Sequence, residues 1–461
     1  MNGGGADRRS QAALTASVLT FFVITLDAVV VNVALPEVRR DLGGGITGLQ
    51  WVVDGYTVMF AALLLSAGAL TDRAGARTAM AGSTVVFLAS SVVCGFAPGI
   101  VALVAARFVQ GAAAAVLMPA SMALLSGAYP DPAARTRAIG TWAFGAAVAS
   151  TSGPLVGGLL TEVSWRLIFF LNVPAGAVVL LALAAVPRSP GHSRQVDVVG
   201  QLSAVLALGA LVFATIEAGT SGFGSRRVIA GFALSALASS VFVAAQVRGR
   251  HPLLPSELAR SRTVQVAAVI GFAFVVAYYG LPFVESLSLQ ELRGLSPAQT
   301  GLVFLPMMLL GAILTPVSAR VAERVGARVL IGGGLLLMTA GLAALAFVPA
   351  DAPVTAVSAL MAVVGLAGPA VIPPATGLLL NAVPEQLTGT AGGIFNTSRQ
   401  LGGALAVAVF GALVANTAQV LNGLRESLVI AAAVAVAAAV ANLLAKPNHN
   451  TAAPTGSSRP A

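Results

Sequence analysis

Fourteen apolar runs, each of about 20 residues, limit what this chain can become more than any other feature of it. They fall at about 13–36, 50–70, 79–97, 100–125, 138–160, 167–186, 198–217, 227–247, 264–285, 298–318, 329–348, 355–380, 392–415 and 427–445. In hydrocarbon every backbone N–H and C=O must be satisfied within the segment, so runs of this length fold as helices. Only 9% of the 461 residues are charged, against about 25% in a soluble domain. The expected fold class is an all-α polytopic membrane protein with 14 transmembrane helices. The first run is too long for the apolar part of a signal peptide and leads into further spans, which makes it the first helix.

The chain also repeats itself. Gly68-Ala-Leu-Thr-Asp72-Arg73-Ala-Gly75-Ala-Arg77 returns as Ala319-Arg-Val-Ala-Glu323-Arg324-Val-Gly326-Ala-Arg328, with acid, base, glycine and base each displaced by 251 positions. Both copies stand between two apolar runs. Such a repeat marks two related halves. Six spans and short loops are too few to fill 251 residues, so two spans are inserted between the halves. The organisation expected is a cytoplasmic segment over 1–12, a six-helix bundle over 13–186, and a linker with two inserted helices over 187–263. A second six-helix bundle over 264–445 and a disordered cytoplasmic tail over 446–461 follow. In each loop the glycine permits a tight turn, the acid can cap or pair at a helix end, and the arginines hold that end in the cytoplasm.

Charge sets the orientation. With both termini inside, 17 of the 26 Lys and Arg fall in inner segments and 7 in outer ones, while Arg107 and Arg399 fall within spans. That bias is what the positive-inside rule requires. The net charge of +9 is spread over short loops, so no nucleic-acid partner is expected. A single cysteine, Cys94, excludes an internal disulfide. His192, His251 and His449 are far apart and make no metal site. There is no phosphate-cradling GxxxxGK[ST] and no Ser/His/Asp grouping, so neither ATP use nor enzymatic catalysis is expected.

Ionisable groups inside spans are costly, about 2.5–3.5 kcal/mol each at the helix centre, and each is a functional candidate for that reason. Asp27 lies well inside the first span, with no base in its own helix. It suits a group that gains and loses a proton as water reaches it from alternating sides; a hydrogen bond to a neighbouring helix is the other role open to it. Asp54 in the second span and Arg107 in the fourth are opposite in sign. If they face one another, they form either a switch, in which protonating Asp54 frees Arg107, or a static salt bridge. Gln110 follows Arg107 by one turn. Glu217 and Glu285 stand near outer helix ends, and Glu285, which follows Tyr278 and Tyr279, is the stronger candidate for substrate contact. Arg399, with Asn396 one turn before it, can hold a carboxylate or carbonyls, or serve structure alone. Gly145, Gly153 and Gly157 give the fifth helix, which also carries Gly158, a smooth face, and Pro154 can bend it. Pro119 and Pro374 lie in related contexts, which predicts bends at related depths in the fourth and twelfth spans.

These stretches resemble motifs of the major facilitator superfamily. Gly68…Asp72-Arg73…Gly75…Arg77 looks like its loop 2–3 motif, and Gly153-Pro154-x-x-Gly157-Gly158 its antiporter motif. Leu26-Asp27…Asn32-Val33-Ala34-Leu35-Pro36 and Ser164-Trp-Arg-Leu-Ile-Phe-Phe-Leu-Asn172-Val-Pro174 are similar to motifs of its 14-helix drug:H+ antiporter branch. Ala149 stands where that antiporter motif has a glycine, and Ala76 where the loop motif has a base. The resemblance covers about 13–445 and extends to antibiotic efflux pumps of the methylenomycin-resistance kind. It implies the major facilitator fold and proton-coupled export of small amphipathic drugs by alternating access. It also implies a proton gradient in place of a cofactor, and a monomer in contact with membrane lipid in a bacterial cytoplasmic membrane. Proton coupling would fall to Asp27, Asp54 and Arg107. Substrate contact would fall to Gln110, Tyr278, Tyr279, Glu285, Asn396 and Arg399, and gating to the two loop motifs and Gly153, Pro154, Gly157 and Gly158. An importer or uniporter of a nutrient or organic acid on the same fold is the nearest alternative, and a non-transporting membrane sensor a more distant one.

Overall fold

The structure, a computed structural model, describes residues 3–188, 197–249, 253–384, 387–415 and 420–444. The tail expected over 446–461 and the three histidines lie outside the described residues, as does part of the linker. Among the described residues fourteen helices are long and apolar enough to span a membrane, and there is no strand. In chain order they are α1 (Gly3–Leu42), α2 (Gly45–Ala74), α3 (Ala76–Gly95), α4 (Ile100–Ala128), α5 (Pro132–Val163), α6 (Leu167–Ala184) and α7 (Val198–Ser221). Then come α8 (Arg226–Arg248), α9 (Arg262–Leu292), α10 (Pro297–Val325), α11 (Ala327–Ala346), α12 (Val354–Asn381), α13 (Thr388–Val414) and α14 (Val420–Leu444).

Local chemistry explains the boundaries. Asp131 caps α5 by accepting from the Ala134 N–H at 2.7 Å, ahead of Pro132 at the first helical position. Ser296 and Gln299 form a capping box at the start of α10. The repeated loops are single-glycine turns of one conformation, with φ 79° and ψ 138° at Gly75 and φ 88° and ψ 134° at Gly326. A residue with a Cβ is strained at that φ, so the repeat requires glycine at both positions. Two spans step where a proline cannot donate to the carbonyl four residues earlier. α6 breaks at Leu171, before Pro174, and α12 breaks at Leu366, before Pro369. α4 continues as a helix through Pro119, and the second piece of α12 through Pro374.

The helices pack as two groups of six, α1–α6 and α9–α14, joined by the pairs α2/α13 and α5/α10. Under the 251-residue repeat α2 corresponds to α10 and α5 to α13, so these two seams are equivalent. The inserted pair stays outside both groups. α7 lies over α2 and α13, where Val58, Val212, Ile216, Ala404 and Ala408 form one apolar cluster, and α8 packs on α7. On α7, Gln201 donates to the Ala62 carbonyl at 2.8 Å.

The apolar cores reveal how the halves meet. We call the end with the Gly75 and Gly326 turns the basic end and the opposite one the far end. One continuous core fills the second half and takes in residues 30–38 of α1, Leu49, Val52 and Val53 of α2, and Leu103 and Ala106 of α4. The basic-end part of the first half packs in a separate core, with Ala13 to Ile24 of α1, Tyr56 to Ala67 of α2 and Ala113 to Leu124 of α4. The halves are thus fused at the far end and independent toward the basic end. Polar contacts at the far end reinforce the fusion. Arg39 pairs with Glu291 at 2.5 Å, Gln290 donates to the Val33 carbonyl at 2.9 Å, and Ser296 donates to Glu162 at 2.7 Å.

Candidate proton-coupling site

A polar layer lies where the two cores of the first half abut. Asp27 of α1 is 1% exposed and Arg107 of α4 is 0% exposed. Arg107 Nη1 donates to Asp27 Oδ2 in a buried ion pair. Gln110 and Asn172 both donate to Asp27 Oδ1, at 3.0 and 2.7 Å. The same two amides donate to the Ser91 hydroxyl at 2.7 and 3.0 Å, and Arg107 Nη1 also donates to Gln110 Oε1 at 2.8 Å. α4 and α6 thereby converge on the carboxylate of α1, and Ser91 of α3 ties their two amides together. The carboxylate thus meets an opposite charge and two further donors, which satisfies both of its oxygens.

Arg107 is anchored on its other side. Its Nε donates to the Val52 carbonyl at 3.0 Å and its guanidinium lies 4.4 Å over the Tyr56 ring. Tyr56 in turn donates to the Ile24 carbonyl at 3.1 Å. Close helix approach makes this possible: a Cβ on Gly111 would come within 2.2 Å of the Tyr56 carbonyl oxygen.

The structure corrects the pairing expected for Arg107. Its acid is Asp27, not Asp54. Successive helical residues are about 100° apart, so Asp54 points away from the face of α2 that carries Val52 and Tyr56. It belongs to the face of Gln50 and Thr57, which packs on α13. There Gln50 donates to the carbonyls of Ala408 and Val407 at 2.8 and 3.2 Å. Asp54 is 0% exposed, and neither carboxyl oxygen has a hydrogen-bond partner among the described residues. It follows that Asp27, which has no base in its own helix, is the acid whose loss strands Arg107.

The other candidates divide. Gln110 is part of the Asp27 cluster. Tyr278 is buried in the second half, where its hydroxyl reaches Met308 Sδ at 3.8 Å and its ring stacks on Phe274 at 4.9 Å. Glu285 is buried near the far end of α9. Tyr279, Asn396 and Arg399 are half-buried. Arg399 donates to Asn396 Oδ1 at 3.1 Å, its Nε has no partner among the described residues, and it makes no ion pair there. Glu217 lies 3.7 Å from Arg227 at the end of α7.

The glycines of α5 do what a smooth face permits. A Cβ on Gly157 would come within 2.8 Å of the Val30 carbonyl oxygen, and one on Gly158 within 2.4 Å of that of Pro297. The first contact is with α1 and the second with α10 of the opposite half. In the loop motifs Arg77 Nε donates to the Leu183 carbonyl at the end of α6 at 2.9 Å, while the Arg328 carbonyl accepts from Asn442 of α14 at 2.9 Å. Gly75 is buried, whereas Glu323, Arg324 and Gly326 are exposed.

Sequence reasoning missed Ser91 and Tyr56, and took Asn172 only as part of a motif. Asn172 is a polar residue in an apolar run, which is a signal. Ser91 had none, because a serine in a span more often serves packing.

The profile of the Major Facilitator Superfamily matches residues 17–407 and 267–460. The chain is 34% identical to the Methylenomycin A resistance protein of Bacillus subtilis, over 98% of this chain and 99% of that protein. It is 37% identical to the Multidrug resistance protein Stp of Mycobacterium tuberculosis, over 89% and 76%. Identity to the Methylenomycin A resistance protein of Streptomyces coelicolor is 34%, over 90% and 88%. Among solved structures, a POT family transporter in complex with 5-aminolevulinic acid superposes with TM-score 0.70 over 94% of this chain and 95% of that one, at 12% identity. That similarity speaks for the fold alone.

Proposed function

As the chain belongs to the major facilitator superfamily, we propose that it exports small amphipathic antibiotics or other drugs across the bacterial cytoplasmic membrane in exchange for protons. The observation that carries the coupling is the buried Asp27–Arg107 pair with Gln110 and Asn172 around it. The names of its relatives support the drug: they are resistance and multidrug proteins aligned over most of their length. With the basic end in the cytoplasm, as the arginine bias requires, fusion at the far end makes this an inward-facing conformation.

Asp27 as an anion fixes Arg107, and Arg107 ties α4 to the backbone of α2. A proton on Asp27 removes the charge that holds the guanidinium and frees α1, α2 and α4 to move relative to one another. In this reading drug enters between the halves from the cytoplasm, and the half-buried Tyr279, Asn396 and Arg399 would meet it with aromatic, amide and cationic groups. The arginine suits a carbonyl or carboxylate on the drug. The repeated loops and the α5 glycines serve as the gating elements. The protein works as a monomer among lipids, without a cofactor. A proton moving inward supplies about 2.3 kcal/mol per 100 mV, and a tenfold gradient takes about 1.4 kcal/mol, so one or two protons sustain tens-fold drug gradients.

Drug accumulation in cells expressing the chain, with and without an uncoupler, tests this. Expression lowers accumulation, and the uncoupler restores it to the level of cells lacking the chain. Accumulation that stays low in the presence of the uncoupler contradicts proton coupling.

A further inference from the structure

Gln201 of α7 commits both ends of its side-chain amide to α2. Its Nε2 donates to the Ala62 carbonyl at 2.8 Å, and the Ser66 hydroxyl donates to its Oε1. Ala62 lies within the apolar span Gly45–Leu64, nearly three turns short of Asp72. Toward α13 the same helix presents hydrocarbon. Val212 and Ile216 pack with Ala404 and Ala408, and near the far end a Cβ on Gly219 would come within 2.5 Å of the Ala412 Cα. The hydroxyls of Ser203, Thr215 and Thr220 bond carbonyls of α7 itself. α8 is tied to α7 as one body: Ser235 donates to the Ala207 carbonyl at 2.9 Å, and a Cβ on Gly231 would come within 2.9 Å of that of Ala214. A bilayer treats the two faces of α7 differently. Lipid tails are as apolar as Ala404 and Ala408, so they can replace α13 there at little cost. Nothing in hydrocarbon can replace α2 for the Gln201 amide.

We propose that α7 and α8 are a lipid shield carried by the first half: they stay on α2, slide over α13, and cover the α2/α13 seam when its far end parts. That seam needs a cover. Parting it frees the Gln50 amide from the carbonyls of Val407 and Ala408 and uncovers the Asp54 carboxyl, and hydrocarbon satisfies neither group. The equivalent α5/α10 seam meets at Gly158 and Gly301, and the inserted pair does not pack on it. At the basic end the pair is bracketed to the start of the second half. The Leu254 N–H, ahead of α9, donates to Gln246 Oε1 at 3.0 Å, and Gln246 Nε2 donates to Asp197 at the start of α7 at 3.1 Å. This bracket stands where the chain passes between the halves, so it hinges the shield at the basic end and leaves its far end free to slide.

The inference rests on the antiport reading for its two alternating states, but its test needs no drug. Spin labels at Arg40→Cys and Leu292→Cys, at exposed far-end positions of α1 and α9, report the separation of the halves by double electron–electron resonance. The background is the full chain with Cys94→Ala, since Cys94 is its one cysteine, reconstituted in lipid nanodiscs. Ile229→Cys of α8 is paired with Val101→Cys of α4 in one sample and with Phe347→Cys after α11 in another, all exposed at the far end. Gly158→Trp with Gly301→Trp wedges the far end open, since a Cβ at these glycines already comes within 2.4 and 2.3 Å of the opposite half's backbone. The wedge should lengthen the Arg40–Leu292 distance and shift Ile229–Phe347 with it, while Ile229–Val101 stays as it was. A fixed Ile229–Phe347 distance, or an Ile229–Val101 distance that moves, would overturn the proposal. In the chain without the tryptophans, Gln201→Leu should broaden the Ile229–Val101 distances. Distances as narrow as before would overturn the proposal too, whether or not the wedge opens the far end. A failed uncoupler experiment combined with the expected shifts would leave the shield standing and remove drug antiport.

Discussion

The two seams that join the halves are related by the repeat, yet they are built from different chemistry. Gln50 on α2 and Gly301 on α10 are 251 positions apart, and each meets the backbone of the opposite half. Gln50 does so with an amide on two carbonyls of α13. Gly301 has no side chain, and a Cβ there would come within 2.3 Å of the Pro154 carbonyl oxygen. One turn on, α2 carries Asp54, whose carboxyl has no hydrogen-bond partner among the described residues, and α10 carries Leu305. The α5/α10 seam is a close backbone contact at Gly158 and Gly301, with Thr151 donating to the Met308 carbonyl and Ser296 to Glu162 along it. The α2/α13 seam holds an amide clamp and an acid. The lesson is that two seams equivalent under the repeat join the halves by different means, one chiefly by close backbone approach and the other by a side-chain amide on backbone carbonyls.

The largest effect is expected of the Asp27–Arg107 pair. Replacing one member leaves a buried charge uncompensated, and Arg107→Leu or Asp27→Asn should each lower stability by about 3–5 kcal/mol. A double-mutant cycle read by thermal unfolding in detergent should return a coupling energy for Asp27 with Arg107. For Asp54 with Arg107 it should return additivity within about 0.3–0.5 kcal/mol. Strong coupling in the second cycle would restore the pairing that the helix phases contradict.

The close-contact seam comes next. Gly301→Leu forces a side chain into the backbone of α5, and overpacking of this kind costs about 1–3 kcal/mol. Because the crowding exists only when the far end is closed, the Arg40–Leu292 spin-label distances should lengthen. Unchanged distances would mean that α5 and α10 do not need close contact. The smallest effect is expected from Gln50→Leu. It removes two hydrogen bonds to carbonyls, each worth about 0.5–1.5 kcal/mol net, and should lengthen the same distances less than Gly301→Leu does.

Much of the architecture is legible in the sequence, because a bilayer turns length and hydropathy into spans. The repeated glycines of the Asp72–Arg77 and Glu323–Arg328 loops adopt one φ, as the shared pattern implied. The smooth face of α5 is a seam, as its glycine spacing implied. The partnerships were not legible. Which acid meets Arg107 depends on the rotation of α2 and α4 about their axes, and an apolar run carries no information about rotation when it is apolar all round. A difference of two residues on α2 moves a side chain to the other side of the helix, which separates Asp54 from Arg107. Asn172, which reaches Asp27, follows directly on the step of α6 at Leu171. Gln50 and Gly301 are an informative pair only once the seams are known.

Proteoliposomes holding the purified chain test the account's central claim most directly, by following a fluorescent drug and lumenal pH together while a proton gradient is imposed. The account predicts that drug moves uphill against the proton flow, that protons cross in the opposite direction only while drug is present, and that both fluxes stop when the gradient is collapsed. Drug movement at the same rate with and without the gradient, and no proton flux accompanying it, would contradict it.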